Sequence, residues 1–142
     1  MAYPAFLRLS PPTKNTIQNY HAGEPYVVSQ VIAMPPNLQA GRAQNAWLTG
    51  TASWFYVCMA EAILGVRPDY HGLRINPAVP GWKEFTIQRQ FRGVRYDITV
   101  RNPRRAETGV RQITVDGQPI DGDIIPIPPA GTKRVTVDVL MG

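Results

Sequence analysis

The sequence predicts an α+β chain: a proline-punctuated, largely helical first part followed by a small antiparallel β-sandwich. Three observations lead there. Residues 51–65 form a nearly unbroken apolar run without strand-like alternation. From Phe85 onward, four segments alternate apolar and polar residues at period two. The pairs Asp116-Gly117, Asp121-Gly122 and Ala130-Gly131, with Gly93, supply turns at short intervals between those segments. The length of 142 residues suits one ordinary domain or two small ones. A hydrophobic share of 44% argues against a disordered chain.

Residues 1–46 carry little regular pattern, because Pro4, Pro11, Pro12, Pro25, Pro35 and Pro36 interrupt any long helix or central strand. Tyr26–Met34 reads as a short helix or a buried strand, and Pro25 at a first helical position behind Glu24 favours the helix. The run Trp47-Leu48-Thr49-Gly50-Thr51-Ala52-Ser53-Trp54 follows, a small hydroxyl-rich turn between two tryptophans. Amides and hydroxyls at the start of a helix favour an anion. The residues alone favour the plainer reading, in which Thr49 caps the helix and Gly50 relieves a tight turn. Residues 51–65 are predicted helical, with Glu61 their lone charge and Gly65 the stop. A helix apolar on nearly every side belongs in the core of a larger structure, so its neighbours are expected outside this chain.

The second half reads as strands. Phe85, Ile87 and Arg89 share one face; Tyr96, Ile98 and Val100 share another; Ile113 with Val115, and Val135 with Val137 and Val139, complete the set. Short strands at this spacing predict a small antiparallel sandwich or barrel. Ile124–Pro129 suits a sheet edge, since proline cannot donate to a central ladder. The change of periodicity places the boundary between the halves within residues 65–72.

Composition narrows the function classes. Fifteen Lys+Arg against ten Asp+Glu leave a net charge of +5, spread along the chain; the tightest group is Arg101, Arg104 and Arg105. With neither a basic stripe nor a recognisable module, nucleic acid is not an expected partner. Cys58, the single cysteine, lies in an apolar run and reads as a buried thiol, so no internal disulfide is expected. His21 and His71 lack partners at metal-ligand spacing, so no metal site is predicted. No apolar run reaches membrane-spanning length. The N-terminus lacks the pattern of a signal peptide, and the expected location is the cytoplasm.

Several separated stretches resemble one known family. They are Glu24-Pro25-Tyr26-Val27-Val28, the Trp47–Trp54 run, Ile63-Leu64-Gly65-Val66-Arg67-Pro68-Asp69-Tyr70 and His71-Gly72-Leu73-Arg74-Ile75-Asn76-Pro77. Phe91-Arg92-Gly93-Val94-Arg95-Tyr96 and Ile113-Thr114-Val115-Asp116-Gly117 continue the series. In this order they resemble the C-terminal end of the inverting disaccharide phosphorylases, the cellobiose and chitobiose phosphorylase family, glycoside hydrolase family 94. The resemblance implies that residues 1–66 are the C-terminal part of an (α/α)6 catalytic barrel. It implies that residues 67–142 are a C-terminal β-sandwich domain.

It also implies an activity: cleavage of a cellobiose-like β-linked disaccharide by inorganic phosphate, giving an α-sugar 1-phosphate. Inorganic phosphate is then a co-substrate, and no cofactor or metal is implied. The matched positions assign phosphate binding to Thr49 and Gly50, and place Gln30 near the donor sugar and phosphate. Glu24 reads as a structural cap or loop anchor, and Asp69 and Asp97 as surface groups. Arg42 and Asn45 are candidates to brace the turn, while Trp47 and Trp54 fix it by packing. The family's catalytic aspartate has no match here, so no catalytic residue is assigned and the isolated chain is expected to lack phosphorolysis. Expected partners are the disaccharide, phosphate, and a missing barrel segment or complementary chain; self-association through the apolar helix is an alternative. A second reading makes the chain a non-catalytic β-sandwich module that binds carbohydrate or serves a structural role.

Overall fold

A computed structural model describes residues 2–11, 13, 21–24 and 26–142. The chain divides into two compact units, residues 1–59 and 60–142.

The first unit opens with helix α1 (Ala2–Leu9), whose Phe6 stacks on Phe55 at 4.0 Å between ring centroids. Strands β1 (Val31–Ile32) and β2 (Ala43–Gln44) form a short antiparallel hairpin, pairing Val31 with Gln44 and Ile32 with Ala43. The intervening loop is closed by Gly41, whose N–H donates to the Ala33 carbonyl at 2.7 Å. The short helix favoured for Tyr26–Met34 does not form: two residues of exposed strand stand there instead. Pro25, on which that expectation rested, lies outside the described residues.

Helix α2 (Thr51–Val57) starts behind Gly50 and passes into a π-helical stretch, Cys58–Ile63. The helical run therefore has the expected start, but its hydrogen-bond pattern changes after about two turns. α2 has no buried residue, and Trp54 and Tyr56 are 70% and 65% exposed. Cys58, expected to be buried, is exposed. Both corrections share a cause: the apolar sides of the helix have too few neighbours among the described residues to cover them.

The second unit holds the core. Gly65 ends the helical run at φ +70°, where an added Cβ would meet the Asn76 carbonyl. Strand β3 (Val66–Asp69) then pairs with β4 (Gly72–Ile75), and β4 with β9 (Ile124–Pro126), in a three-stranded sheet. Gly72 permits that last pairing, since a Cβ there would stand 1.9 Å from the Ile125 carbonyl oxygen. The β3–β4 hairpin had no counterpart among the expected strands. The proline-containing β9 occupies a sheet edge, as its composition predicts.

The larger sheet has the order β5 (Glu84–Phe91), β6 (Val94–Arg101), β10 (Arg134–Met141), β7 (Val110–Val115), β8 (Gln118–Ile120). Tyr96, Ile98, Val100, Val135, Val137 and Val139 are all buried, as the period-two pattern requires. Leu73, Ile75 and Ile125 are the buried residues of the smaller sheet. Two sheets, each burying one apolar face, are compatible with a β-sandwich. One pairing departs from the antiparallel expectation: β10 runs parallel to β6, with Val137 opposite Ile98. Thirty-two residues separate these strands (102–133), enough chain for the crossover that a parallel pair demands.

Asn102 is the buried polar side chain of this core. Its amide donates to the Ala106 carbonyl and its side-chain oxygen accepts from the Ala106 N–H, each at 2.8 Å. The turn after β6 is thus closed without leaving a polar group unsatisfied.

Candidate functional site

The residues singled out for phosphate lie in the first unit. Beyond β2, Asn45 adopts a left-handed backbone, φ 53°, and its carbonyl accepts from the Leu48 N–H at 3.3 Å. Asparagine tolerates that conformation because its short polar side chain lowers the cost. The chain thus reverses directly into the Trp47–Trp54 run. The Trp47 indole N–H donates to a Glu24 carboxylate oxygen at 2.8 Å. That bond ties the turn to a segment twenty-three residues earlier, and gives Glu24 an anchoring contact. Trp47 is otherwise exposed, as is Trp54, so neither packs the turn within the described residues.

Thr49 is half-buried, and its hydroxyl oxygen accepts from the Thr51 N–H at 3.0 Å. This bond uses an acceptor lone pair and leaves the hydroxyl hydrogen for another acceptor. Gly50 precedes α2 with φ −77° and ψ −10°, so no left-handed conformation demands glycine here. A Cβ at Gly50 would meet nothing within 4 Å, which leaves its backbone open on that side. Gln30 is exposed and stands one residue before the Val31–Gln44 pair. The hairpin register therefore puts Gln30 at the end of the ladder from which the Asn45–Thr49 turn departs. Arg42 is exposed, and its carbonyl accepts from the Ala33 N–H at 2.9 Å, which makes its backbone part of the hairpin.

Both aspartates read as surface groups are ion-pair anchors of the second unit. Asp97 accepts from Arg95 at 2.9 Å and also from Arg134, across the parallel β6–β10 pair. The Arg95 bond, aided by Arg134, holds its carboxyl below the ordinary value against the opposing effect of burial. Asp69 accepts from the His71 N–H at 3.1 Å and from Arg74 at 3.2 Å. These two bonds lower its pKa, the backbone one contributing more. Arg74 also grips Asp123 through both carboxylate oxygens, at 2.7 and 2.8 Å, and so staples β4 to the approach of β9. Committed to arginine in this way, Asp69 and Asp97 are poorly suited to give up a proton as general acids.

Among the described residues no group of three His, Cys, Asp or Glu is placed to hold a metal ion. Among the described residues, no helix is long and apolar enough to cross a membrane.

Known proteins define what this arrangement belongs to. The catalytic-domain model of the glycosyl hydrolase 94 superfamily matches residues 1–65. Solabiose phosphorylase of Paenibacillus borealis is 34% identical over 140 residues, covering 97% of this chain and 18% of the relative. N,N'-diacetylchitobiose phosphorylase of Vibrio proteolyticus is 38% identical over 130 residues, covering 91% and 16%. The enzyme of the same name from Vibrio furnissii is 37% identical over 135 residues, covering 94% and 16%. The class is thus a family of carbohydrate-active enzymes whose similarity runs through both units. The chain belongs to the glycosyl hydrolase 94 superfamily. It spans less than a fifth of the length of these three relatives.

Proposed function

We propose that this chain is the C-terminal part of an inverting disaccharide phosphorylase and supplies one wall of its phosphate pocket. In this reading residues 1–66 are the last part of an (α/α)6 barrel and residues 67–142 the C-terminal β domain. The observation that carries it is the extent of the similarity, since phosphorylase relatives match more than nine-tenths of the chain.

The chemistry follows from the co-substrate. A phosphate oxygen attacks the anomeric carbon from the face opposite the scissile bond. The glycosidic C–O bond breaks, and a carboxylic acid gives its proton to the leaving oxygen. Phosphate is already a nucleophile, so no second carboxylate is needed to activate water. Thr49 donates its hydroxyl hydrogen and Gly50 its backbone N–H to phosphate oxygens. Both are small, which leaves room for the sugar beside the anion. Gln30 offers an amide to the donor sugar. The acid is assigned to none of this chain's carboxylates; a barrel segment or a complementary chain supplies it. The substrate is a β-linked disaccharide of the cellobiose type, and the cytoplasm the expected location.

A chimera tests this reading. This chain replaces the corresponding segment of the Vibrio proteolyticus phosphorylase, and release of sugar 1-phosphate is measured. The chimera is expected to turn over, while the 142-residue chain alone releases none. Thr49→Ala in the chimera should raise KM for phosphate about tenfold, the loss of one hydrogen bond to a charged group, with Thr49→Ser near the parent. A folded but inactive chimera, or an unchanged KM for phosphate in Thr49→Ala, rejects the assignment.

A further inference from the structure

A cavity of about 330 Å³ opens in the second unit between the tip of the β5–β6 hairpin and the loop leading into β10. Its size suits a small ligand. Phe91, Pro128 and Pro129 give it an apolar wall, and Arg92 and Lys133 line it with two cations. Its lining includes no carboxylate. Arg92 is held in place: its guanidinium lies 5.1 Å from the Phe91 ring centroid and donates to the Tyr70 carbonyl at 3.3 Å. The backbone of Lys133 is anchored too, its carbonyl accepting from the Arg95 N–H at 3.0 Å.

Tyr96 makes this more than a basic dent. Its side chain lines the cavity while the residue is only 1% exposed. Its hydroxyl has no hydrogen-bond partner among the described residues. The hydroxyl is not one of the sealed-off unpartnered polar atoms, so solvent reaches it, and a ligand group can take that solvent's place. Burial raises its pKa, with Arg92 partly opposing, and the phenol remains a proton donor at neutral pH.

We propose that this cavity binds a single sugar ring carrying an oxyanion, either phosphate or carboxylate. Arg92 and Lys133 take the anion, Tyr96 donates its hydroxyl hydrogen, and the Phe91–proline wall receives the C–H face of the ring. Two cations without a countering carboxylate select for negative charge. The apolar wall adds affinity only for a ligand with a ring to lay against it. The proposal uses residues of the second unit alone and stands whether or not the Thr49 assignment holds.

Backbone amide shifts of the 142-residue chain, titrated with α-D-glucose 1-phosphate and separately with glucuronate, provide the test. Glucose and inorganic phosphate are the controls. At least one anionic sugar should shift Gly93, Gly131 and Lys133 saturably and bind about fivefold or more tighter than either control, and the tighter one identifies the anion. Lys133→Gln and Arg92→Gln, both surface changes, should each weaken it about tenfold, and Tyr96→Phe about fivefold. The proposal falls if neither anionic sugar shifts those amides, if glucose or phosphate binds as tightly, or if the two charge-removing variants bind like the parent.

Discussion

The two units treat apolar side chains in opposite ways. In residues 60–142, Ile98, Val100, Ile113, Val137 and Leu73 are almost wholly buried, and Asn102 is buried with its polar atoms paired. In residues 1–59, Ala33 is the one buried apolar residue among those described, while Tyr26, Leu38, Trp47, Leu48 and Trp54 are each at least 70% exposed. An exposed apolar residue is ordinary when isolated, but a whole unit of them marks a surface made to be covered. The β unit satisfies its own sequence; the helical unit has the composition of an interior without the enclosure. That contrast is the one expected if residues 1–59 are covered by segments other than those described.

The sharpest way to break the comparison is Gly72→Ala. The new Cβ would collide with the Ile125 backbone, so β4 and β9 must separate; we expect a loss of about 4 kcal/mol in urea unfolding of the β unit. An unchanged midpoint would show that the smaller sheet contributes little to the core. Next comes a pair of truncations. Ile98→Ala should cost about 2–5 kcal/mol, the range for deleting a buried aliphatic side chain, whereas Trp54→Ala should move stability by no more than about 0.5 kcal/mol. Equal losses would mean that both units bury their apolar residues alike.

The smallest effect is electrostatic. Asp97 has a folded pKa below its ordinary 3.8, so its ion pairs contribute stability above that value. The contribution is lost as pH falls through the lowered folded pKa. Asp97→Asn should therefore be less stable than the parent at neutral pH, and the two should converge in strong acid. A gap that persists below the folded pKa would assign the effect to packing.

Much of the β unit was legible before folding. Alternation in Tyr96-Asp97-Ile98-Thr99-Val100 states which side chains turn inward, because side chains in a strand point to opposite faces in turn. Asp116-Gly117 sits at the β7–β8 turn with φ 48° and 81°, a conformation that such pairs adopt readily. The β3–β4 hairpin was not legible, because Arg67-Pro68-Asp69 breaks the alternation, and the β4–β9 pairing beside it rests on a glycine's close approach to a distant strand. In the candidate site, Thr49, Gly50 and Gln30 were named from a motif. The Glu24–Trp47 bond was not, since nothing local links positions so far apart. Tyr96 looked like ordinary core until the cavity beside it came into view.

The sequence by itself determined the inward faces of the strands, the turns between them and the superfamily, all of which depend on residue type and short spacing. The tertiary structure alone decided that β10 lies parallel to β6 and inserts between β6 and β7. Period-two patterning selects a face and is silent on which strand lies alongside or in which direction it runs. Burial likewise waited on tertiary structure. An apolar helix states that it needs cover, but Cys58, Trp54 and Tyr56 are exposed because cover comes from other segments.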